Sequence, residues 1–126
     1  MKEVQRERET FCDKVENLDS YTHEALGNSN FPSHQRYYLC LEIQQLVGEI
    51  MSNAIRMKKG YGQKSTLERM DIAVDTLRYK IREAERKQYI SLHRRHVWIG
   101  MVDEIGKMIG GWIEKKSAAE RSRTGK

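Results

Sequence analysis

Basic residues at helical spacing are the strongest chemical signal in the sequence. Arg78, Arg82 and Arg86 follow one another at intervals of four residues. Because each residue of a helix turns the chain by about 100°, their three guanidinium groups would form one nearly straight row. Arginine makes bidentate hydrogen bonds to phosphate. The row therefore predicts affinity for a nucleic-acid backbone without readout of its bases.

The row has basic extensions and acidic neighbours. Four more basic residues lengthen it, namely Lys80, Lys87, Arg94 and Arg95. Three acidic residues lie within reach of it along the helix, namely Asp75, Glu83 and Glu85. An ordinary ion-paired helix face is therefore the alternative to a phosphate-binding surface, and the spacing leaves both open.

A second basic segment surrounds a glycine-rich turn. Lys58, Lys59 and Lys64 flank the expected start of a helix, where free backbone N–H groups favour one phosphate; a solvated lysine loop is the alternative. The segment from Gly60 to Thr66 resembles a P-loop. It lacks the glycine directly before the lysine, and no predicted strand precedes it, so we expect no nucleotide-hydrolysing site.

The residue types that serve in catalysis or metal binding form no recognisable set. His93 and His96 have a spacing that two metal ligands could share, but a site needs a third ligand. Neither Cys12 nor Cys40 is placed by the sequence to supply it. No carboxylate pair stands in an apolar setting that would raise a pKa. We therefore expect no catalytic residue, no metal and no cofactor.

Composition narrows the class of protein. The chain of 126 residues is 38% hydrophobic and 33% charged, with two cysteines and one proline. Its apolar runs are far shorter than the ~20 residues of a membrane span, and the charge near its N-terminus is unlike a signal peptide. These features predict one helical domain in the cytoplasm, with reduced thiols and no membrane partner.

The net charge of +5 is unevenly distributed. Residues 1–26 include four basic and seven acidic residues, whereas residues 56–96 include twelve basic and five acidic ones. A basic block beside an acidic block predicts a polyanion-binding face. The alternative is a soluble surface rich in lysine and arginine.

Apolar residues at intervals of three and four predict four helices. The first has a thin stripe that begins at Val4, and it ends before the loop at 27–32. The second begins with Ser33 as its N-cap and ends near Lys58. Apolar residues cover more than one of its faces, which predicts a central position or burial against a second subunit. The residues that widen its stripe are Tyr38, Leu41, Val47, Met51 and Ile55.

The third and fourth predicted helices have narrower apolar stripes. Ser65 and Glu68 predict a capping box at the start of the third helix. Ser91 is the predicted cap of the fourth helix, whose stripe starts at Leu92 and ends at Trp112.

Two glycines mark one face of the fourth predicted helix. Gly106 and Gly110 lie four residues apart, a spacing that permits close approach of another backbone. Each internal glycine costs about 1 kcal/mol of helix stability relative to alanine, so a packing benefit is expected to offset that cost. Gly106, Gly110 and Trp112 are therefore expected to serve in helix or oligomer packing.

Short loops between the four helices predict an all-α, antiparallel up-down-up-down four-helix bundle. The apolar pattern stops after Lys116. Residues 1–116 therefore form the predicted domain, and residues 117–126 form a predicted frayed or disordered basic tail.

Three stretches of the chain are recognisable as sequence motifs. They are LRYKIR at 77–82, EIGKMIGGWI at 104–113, and FPS at 31–33 leading into YLCLEI at 38–43. Together they resemble the Avd family, the accessory variability determinant proteins of diversity-generating retroelements. The resemblance covers residues 31–116, and the ending Gly-Trp-Ile is its most specific part.

The resemblance implies a four-helix bundle that assembles as a barrel-shaped homopentamer. It also implies a basic surface that binds the element's reverse transcriptase and template-repeat RNA, with DNA as a further nucleic acid that it could bind. Together these components make the error-prone cDNA of mutagenic retrohoming, and Avd itself is not the polymerase. The family's basic pair corresponds to Arg78 and Arg82, and the acidic segment 1–26 departs from the family in degree.

Two other interpretations stay open. Proteins encoded in intervening sequences of large-subunit ribosomal RNA genes are similar pentameric four-helix bundles. A small cytosolic bundle could also act only as a scaffold for other proteins. The basic block at 56–96 favours the Avd-type interpretation.

Overall fold

The computed structural model describes residues 2–124, and every regular element in that range is a helix. None of these helices combines the length and the hydropathy that crossing a membrane requires. The long helices are α1 (Lys2–Gly27), α3 (Leu39–Lys58), α4 (Lys64–Arg86) and α5 (Leu92–Thr124), and a short helix α2 (Ser33–Tyr37) precedes α3.

The long helices form an antiparallel four-helix bundle. Lys14 of α1 bonds to Glu104 of α5, whereas Glu24, further along α1, bonds to Arg94 nearer the start of α5. Helices α1 and α5 therefore run in opposite directions. The backbone of each long helix lies close to those of two others, whereas the Cα atoms of the diagonal pairs α1–α4 and α3–α5 stay more than 8 Å apart. The predicted bundle is confirmed.

The core is the shared interior of the four long helices. Trp98 is its largest fully buried side chain, and its indole Nε1 donates a hydrogen bond of 3.1 Å to Thr22 Oγ1. Thr22 interrupts the apolar stripe of α1 because it satisfies this buried indole. Leu92, the predicted start of the α5 stripe, is 64% exposed, so that part of the prediction is wrong.

The second predicted helix is divided at Tyr38. Pro32, not Ser33, is the residue before the first turn, and no side chain caps that turn. The carbonyl of Pro32 accepts hydrogen bonds from the N–H groups of Gln35 and Arg36, which leaves Ser33 inside the turn. The predicted N-cap is therefore wrong.

The cap of α4 also differs from its prediction, whereas the cap of α5 is confirmed. Gln63 precedes α4, and its N–H donates to Thr66 Oγ1 at 3.1 Å. Ser65 is thus a helical residue and not the cap. At α5, the N–H of Arg94 donates to Ser91 Oγ at 3.0 Å, as the sequence predicts.

Helix α3 ends in a Schellman motif. Gly60 has φ +83°, a conformation that favours a residue without Cβ. The N–H of Gly60 bonds to Met57 O at 3.1 Å, and the N–H of Tyr61 bonds to Arg56 O at 2.9 Å. These bonds fix the loop that leads into α4.

Helix α5 continues to Thr124, past its predicted end at Lys116. The predicted frayed tail is therefore wrong for residues 117–124, and residues 125–126 lie outside the described residues. Alanines 118 and 119 have high helix propensity, and Glu120 bonds to Lys64 of α4 at 3.0 Å. Apolar periodicity detects only helix that packs on a core, so it missed these turns.

Candidate nucleic-acid interface

Arg78 lies half-buried between α4 and α5. Its Nε donates to Asp103 Oδ1 at 2.8 Å, and its Nη1 donates to Asp75 Oδ1 at 2.5 Å. Only 22% of the side chain is exposed. Phosphate binding by the row requires exposed, uncompensated guanidinium groups, and Arg78 is instead part of an ion-paired face. The sequence of α4 showed Asp75 but could not show Asp103, which comes from the neighbouring helix.

Arg82 and Arg86 keep the exposure that the spacing predicts. Neither pairs with a carboxylate within residues 2–124. The guanidinium carbon of Arg82 lies 5.8 Å from the ring centroid of Tyr79, and Tyr79 is itself 70% exposed. Two cations without a carboxylate partner among the described residues and one aromatic ring therefore line the outer side of α4, a combination that suits phosphates and bases.

The predicted extensions of the row are compensated by acidic residues. Arg94 also lies over the ring of Tyr21 at 5.4 Å. Each of the four basic side chains forms an ion pair with a carboxylate. Such ion pairs contribute little to stability when exposed, but they reduce the charge presented to a polyanion. The four pairs are Lys80–Glu42 at 3.2 Å, Lys87–Glu83 at 3.0 Å, Arg94–Glu24 at 3.2 Å and Arg95–Glu85 at 4.0 Å.

The α3–α4 loop and the helix ends beside it carry a second cationic surface. Lys58 and Lys59 are exposed, with no carboxylate partner among the described residues. Lys64 is different, because its hydrogen bond with Glu120 raises the pKa of its ammonium group. From residue 56 to residue 69 the chain has five basic residues and a single acidic one, Glu68.

Two further arginines join this surface, and sequence reasoning missed both. Arg56 is at the end of α3 and Arg69 is in the second turn of α4. Both are exposed, and they line the same cavity between the two helices. Neither belongs to a row on one helix, so spacing could not detect them. The net charge of residues 56–96 was the only sequence signal that included them.

A model of the bAvd-like family matches residues 11–116. The chain belongs to the bAvd-like family. The matched range includes most of α1, all of α3 and α4, and α5 as far as Lys116. The resemblance stated from the sequence is thereby confirmed. No curated protein and no solved structure matches the chain.

The predicted packing residues of this bAvd-like chain occupy three different environments. Trp112 packs within the chain, because its Nε1 donates to Glu7 Oε1 at 2.7 Å and its ring meets Phe11 edge-on at 4.9 Å. Gly106 faces the side chain of Arg78 and not another backbone. A Cβ at Gly110 would meet nothing within 4 Å, so the predicted close helix contact within the chain is wrong there.

The residues that could serve in catalysis are dispersed in this bAvd-like chain. Within the described residues no three His, Cys, Asp or Glu side chains come together as metal ligands, and His93 and His96 are exposed. Burial raises the pKa of both the Cys12 and the Cys40 thiols. Neutral thiols are poor nucleophiles, so neither cysteine has the environment of an activated nucleophile.

Proposed function

We propose that this protein is a non-enzymatic accessory protein of a diversity-generating retroelement. It binds the element's reverse transcriptase and template RNA in the cytoplasm, and it supports the error-prone cDNA synthesis of mutagenic retrohoming. Membership of the bAvd-like family supports this proposal. The observation that carries it is the set of cations on the α3–α4 hairpin, residues 39–86, that have no carboxylate partner among the described residues.

These cations form two groups on the hairpin. Arg56, Lys58, Lys59 and Arg69 surround the loop, and Arg82 and Arg86 extend from the outer side of α4. None pairs with a carboxylate within residues 2–124. Each cation that contacts a phosphate releases condensed counterions, which supplies affinity without sequence readout.

Arg78 has a different role in this proposal. The family's basic pair corresponds to Arg78 and Arg82, but Arg78 is neutralised by Asp75 and Asp103. We assign phosphate contact to Arg82 and Arg86, and we assign Arg78 to the junction of α4 and α5.

The protein also assembles as a homo-oligomer in this proposal, and the resemblance implies five copies. Three apolar side chains on the outer side of the α2–α3 region support this assembly. Tyr38 is 64% exposed, and Leu41 and Ile55 are each 43% exposed. Light scattering at micromolar protein concentration tests this part, and the mass of a single chain would refute it.

The test of the proposed function is reconstitution with the reverse transcriptase encoded beside the gene. The two proteins are co-expressed with and without the template-repeat RNA, and cDNA synthesis is measured. We expect co-purification and cDNA that requires both proteins. If the neighbouring genes encode no reverse transcriptase, or if cDNA synthesis does not depend on this protein, the proposal is wrong. Copurification with other proteins and without RNA would favour the scaffold interpretation.

A further inference from the structure

A polar cavity of about 260 Å³ opens between the end of α3 and the start of α4. Among residues 2–124, no acidic side chain lines it. An acid-free, donor-rich wall attracts an anion and not a cation. Asn53 and Arg56 come from α3, Thr66 and Arg69 from α4, and Tyr61 and Gln63 from the connecting loop.

The two arginines in the wall have no compensating charge in the part of the chain that the structure describes. Neither Arg56 nor Arg69 pairs with a carboxylate within residues 2–124. Two positive charges beside one cavity repel each other. An anion bound between them attracts both, and the net electrostatic interaction becomes favourable. A phosphate oxyanion suits both guanidinium groups, because each can donate two parallel hydrogen bonds to it.

Two polar side chains in the wall are buried. Asn53 is 5% exposed and Thr66 is 6% exposed. Thr66 Oγ1 accepts the N–H of Gln63, which leaves its hydroxyl hydrogen available as a donor. Asn53 Nδ2 donates one hydrogen to Glu49 O at 2.9 Å and retains the second. Burial holds these groups in place, so the cavity is more than a gap between mobile surface side chains.

The loop places an aromatic ring at the rim of the cavity. Tyr61 lines the cavity and is 71% exposed. Its N–H bonds to Arg56 O, and a Cβ at Gly62 would come 2.4 Å from Met57 Sδ. The loop is thus packed closely against the end of α3, and the backbone of Tyr61 is fixed at Arg56 while its ring lines the cavity.

We propose that this cavity binds one phosphate group of single-stranded RNA between Arg56 and Arg69, with the adjoining base stacked on Tyr61. This inference rests on the proposed function, and it names a specific subsite within the cationic surface. The exposed ring favours RNA over free phosphate, because inorganic phosphate has no base to stack. Lys58 and Lys59 follow Arg56 along the chain and provide contacts for neighbouring phosphates.

The test compares two double variants with equal loss of charge. Arg56→Ala with Arg69→Ala removes the cavity arginines. Arg6→Ala with Arg123→Ala removes two exposed arginines that lie outside the cavity. The probe is a short fluorescein-labelled single-stranded RNA, and affinity is measured by fluorescence polarisation over a series of salt concentrations. Circular dichroism of each variant monitors the fold.

We expect the cavity variant to bind this RNA about tenfold more weakly and the control variant to bind within about twofold of the original protein. The log–log salt slope of the cavity variant should fall in magnitude by about 0.7, the change for one phosphate of a single strand. Tyr61→Ala should lower affinity severalfold, whereas Tyr61→Phe, which keeps the ring, should not. Because Tyr61 is exposed, these two variants test the subsite even if the double variant unfolds.

Equal losses in the two double variants would overturn the inference and leave general RNA binding intact. Equal affinities of Tyr61→Ala and Tyr61→Phe would remove the stacking part. Calorimetry with inorganic phosphate is the second arm. If phosphate binds in the cavity and the cavity variant binds RNA as tightly as the original protein does, the RNA assignment is wrong. Absence of all RNA binding would instead contradict the proposed function itself.

Discussion

The guanidinium group of Arg78 lies over Gly106. A Cβ atom at position 106 would come 2.5 Å from Arg78 Nη2, and real Cβ atoms essentially never come within 3.0 Å of a neighbouring atom. The missing side chain at Gly106 thus gives Arg78 the space in which its Nε reaches Asp103 at 2.8 Å. The sequence assigned Arg78 to phosphate binding and Gly106 to packing, yet the two residues form one contact between α4 and α5.

Arg78→Ala should reduce the free energy of unfolding by about 1 kcal/mol, because it removes a partly buried ion pair between two helices. Arg82→Ala is the matched variant, since its guanidinium group is exposed and lacks a carboxylate partner within residues 2–124. We expect no measurable loss of stability there. Urea denaturation followed by circular dichroism compares the two. An equal effect of both substitutions would contradict the structural role of Arg78.

Gly110→Ala should raise the free energy of unfolding by about 1 kcal/mol, the difference in helix propensity between the two residues. A Cβ at position 110 meets nothing within 4 Å. Gly106→Ala gains the same propensity but displaces Arg78 from Asp103, so its net stabilisation should be smaller. Thermal unfolding of both variants checks the order. Light scattering of Gly110→Ala also checks whether the face of α5 at Gly110 is an oligomer contact. Loss of assembly in this variant would place Gly110 in an interface.

Gln88→Gly should stabilise the protein by about 1 kcal/mol. Gln88 lies just after the cap of α4 with φ 64°, a left-handed conformation that strains a residue with a Cβ atom. Its N–H bonds to Glu85 O at 2.9 Å, and that of Tyr89 bonds to Ala84 O at 2.8 Å. This is the motif that Gly60 completes at the end of α3. Gly60→Ala should therefore lower the free energy of unfolding. Urea denaturation measures both variants. A loss of stability in Gln88→Gly would show that the Gln88 side chain makes a compensating contact.

The two thiols should alkylate slowly at neutral pH. Burial raises the pKa of Cys12 and Cys40 in the folded protein above the ordinary value of 9.0, and only the thiolate reacts with iodoacetamide. The alkylation rate of the folded protein should keep rising as the pH passes that value, whereas the alkylation rate of the unfolded chain should already level off there. For the same reason these groups stabilise the fold below the unfolded pKa, and this contribution falls as the pH rises above it. Rapid alkylation near pH 7 would contradict the thiol environments described above.

The bundle could be predicted from sequence because its core residues repeat with helical periodicity. Val74, Leu77 and Ile81 have the predicted spacing and are fully buried. The last turns of α5 could not be predicted in this way, because they have no core-facing stripe. The cap of α4 was misplaced because several residues near Ser65 can cap a helix, and Thr66 and Gln63 form the bond that decides the start.

The candidate site was predictable only in part. Exposure of Arg82 and Arg86 follows from their position opposite the apolar stripe of α4. The neutralisation of Arg78 depends on Asp103, and the cavity depends on α3 and α4 bringing Arg56 and Arg69 to the same space. Both relationships join residues of different helices, so local spacing contains no information about them.

The most direct test of the cationic surface is a salt titration of RNA affinity. The variant Lys58→Ala, Lys59→Ala, Arg82→Ala, Arg86→Ala removes unpaired cations of the hairpin. The control removes four exposed basic residues outside it, namely Lys2, Arg6, Lys107 and Arg123. If the four hairpin cations contact phosphates, the log–log slope for structured RNA should fall in magnitude by about 3 in the first variant and by much less in the control. Identical slopes in the two variants, or no RNA binding by the original protein at low salt, would contradict the account.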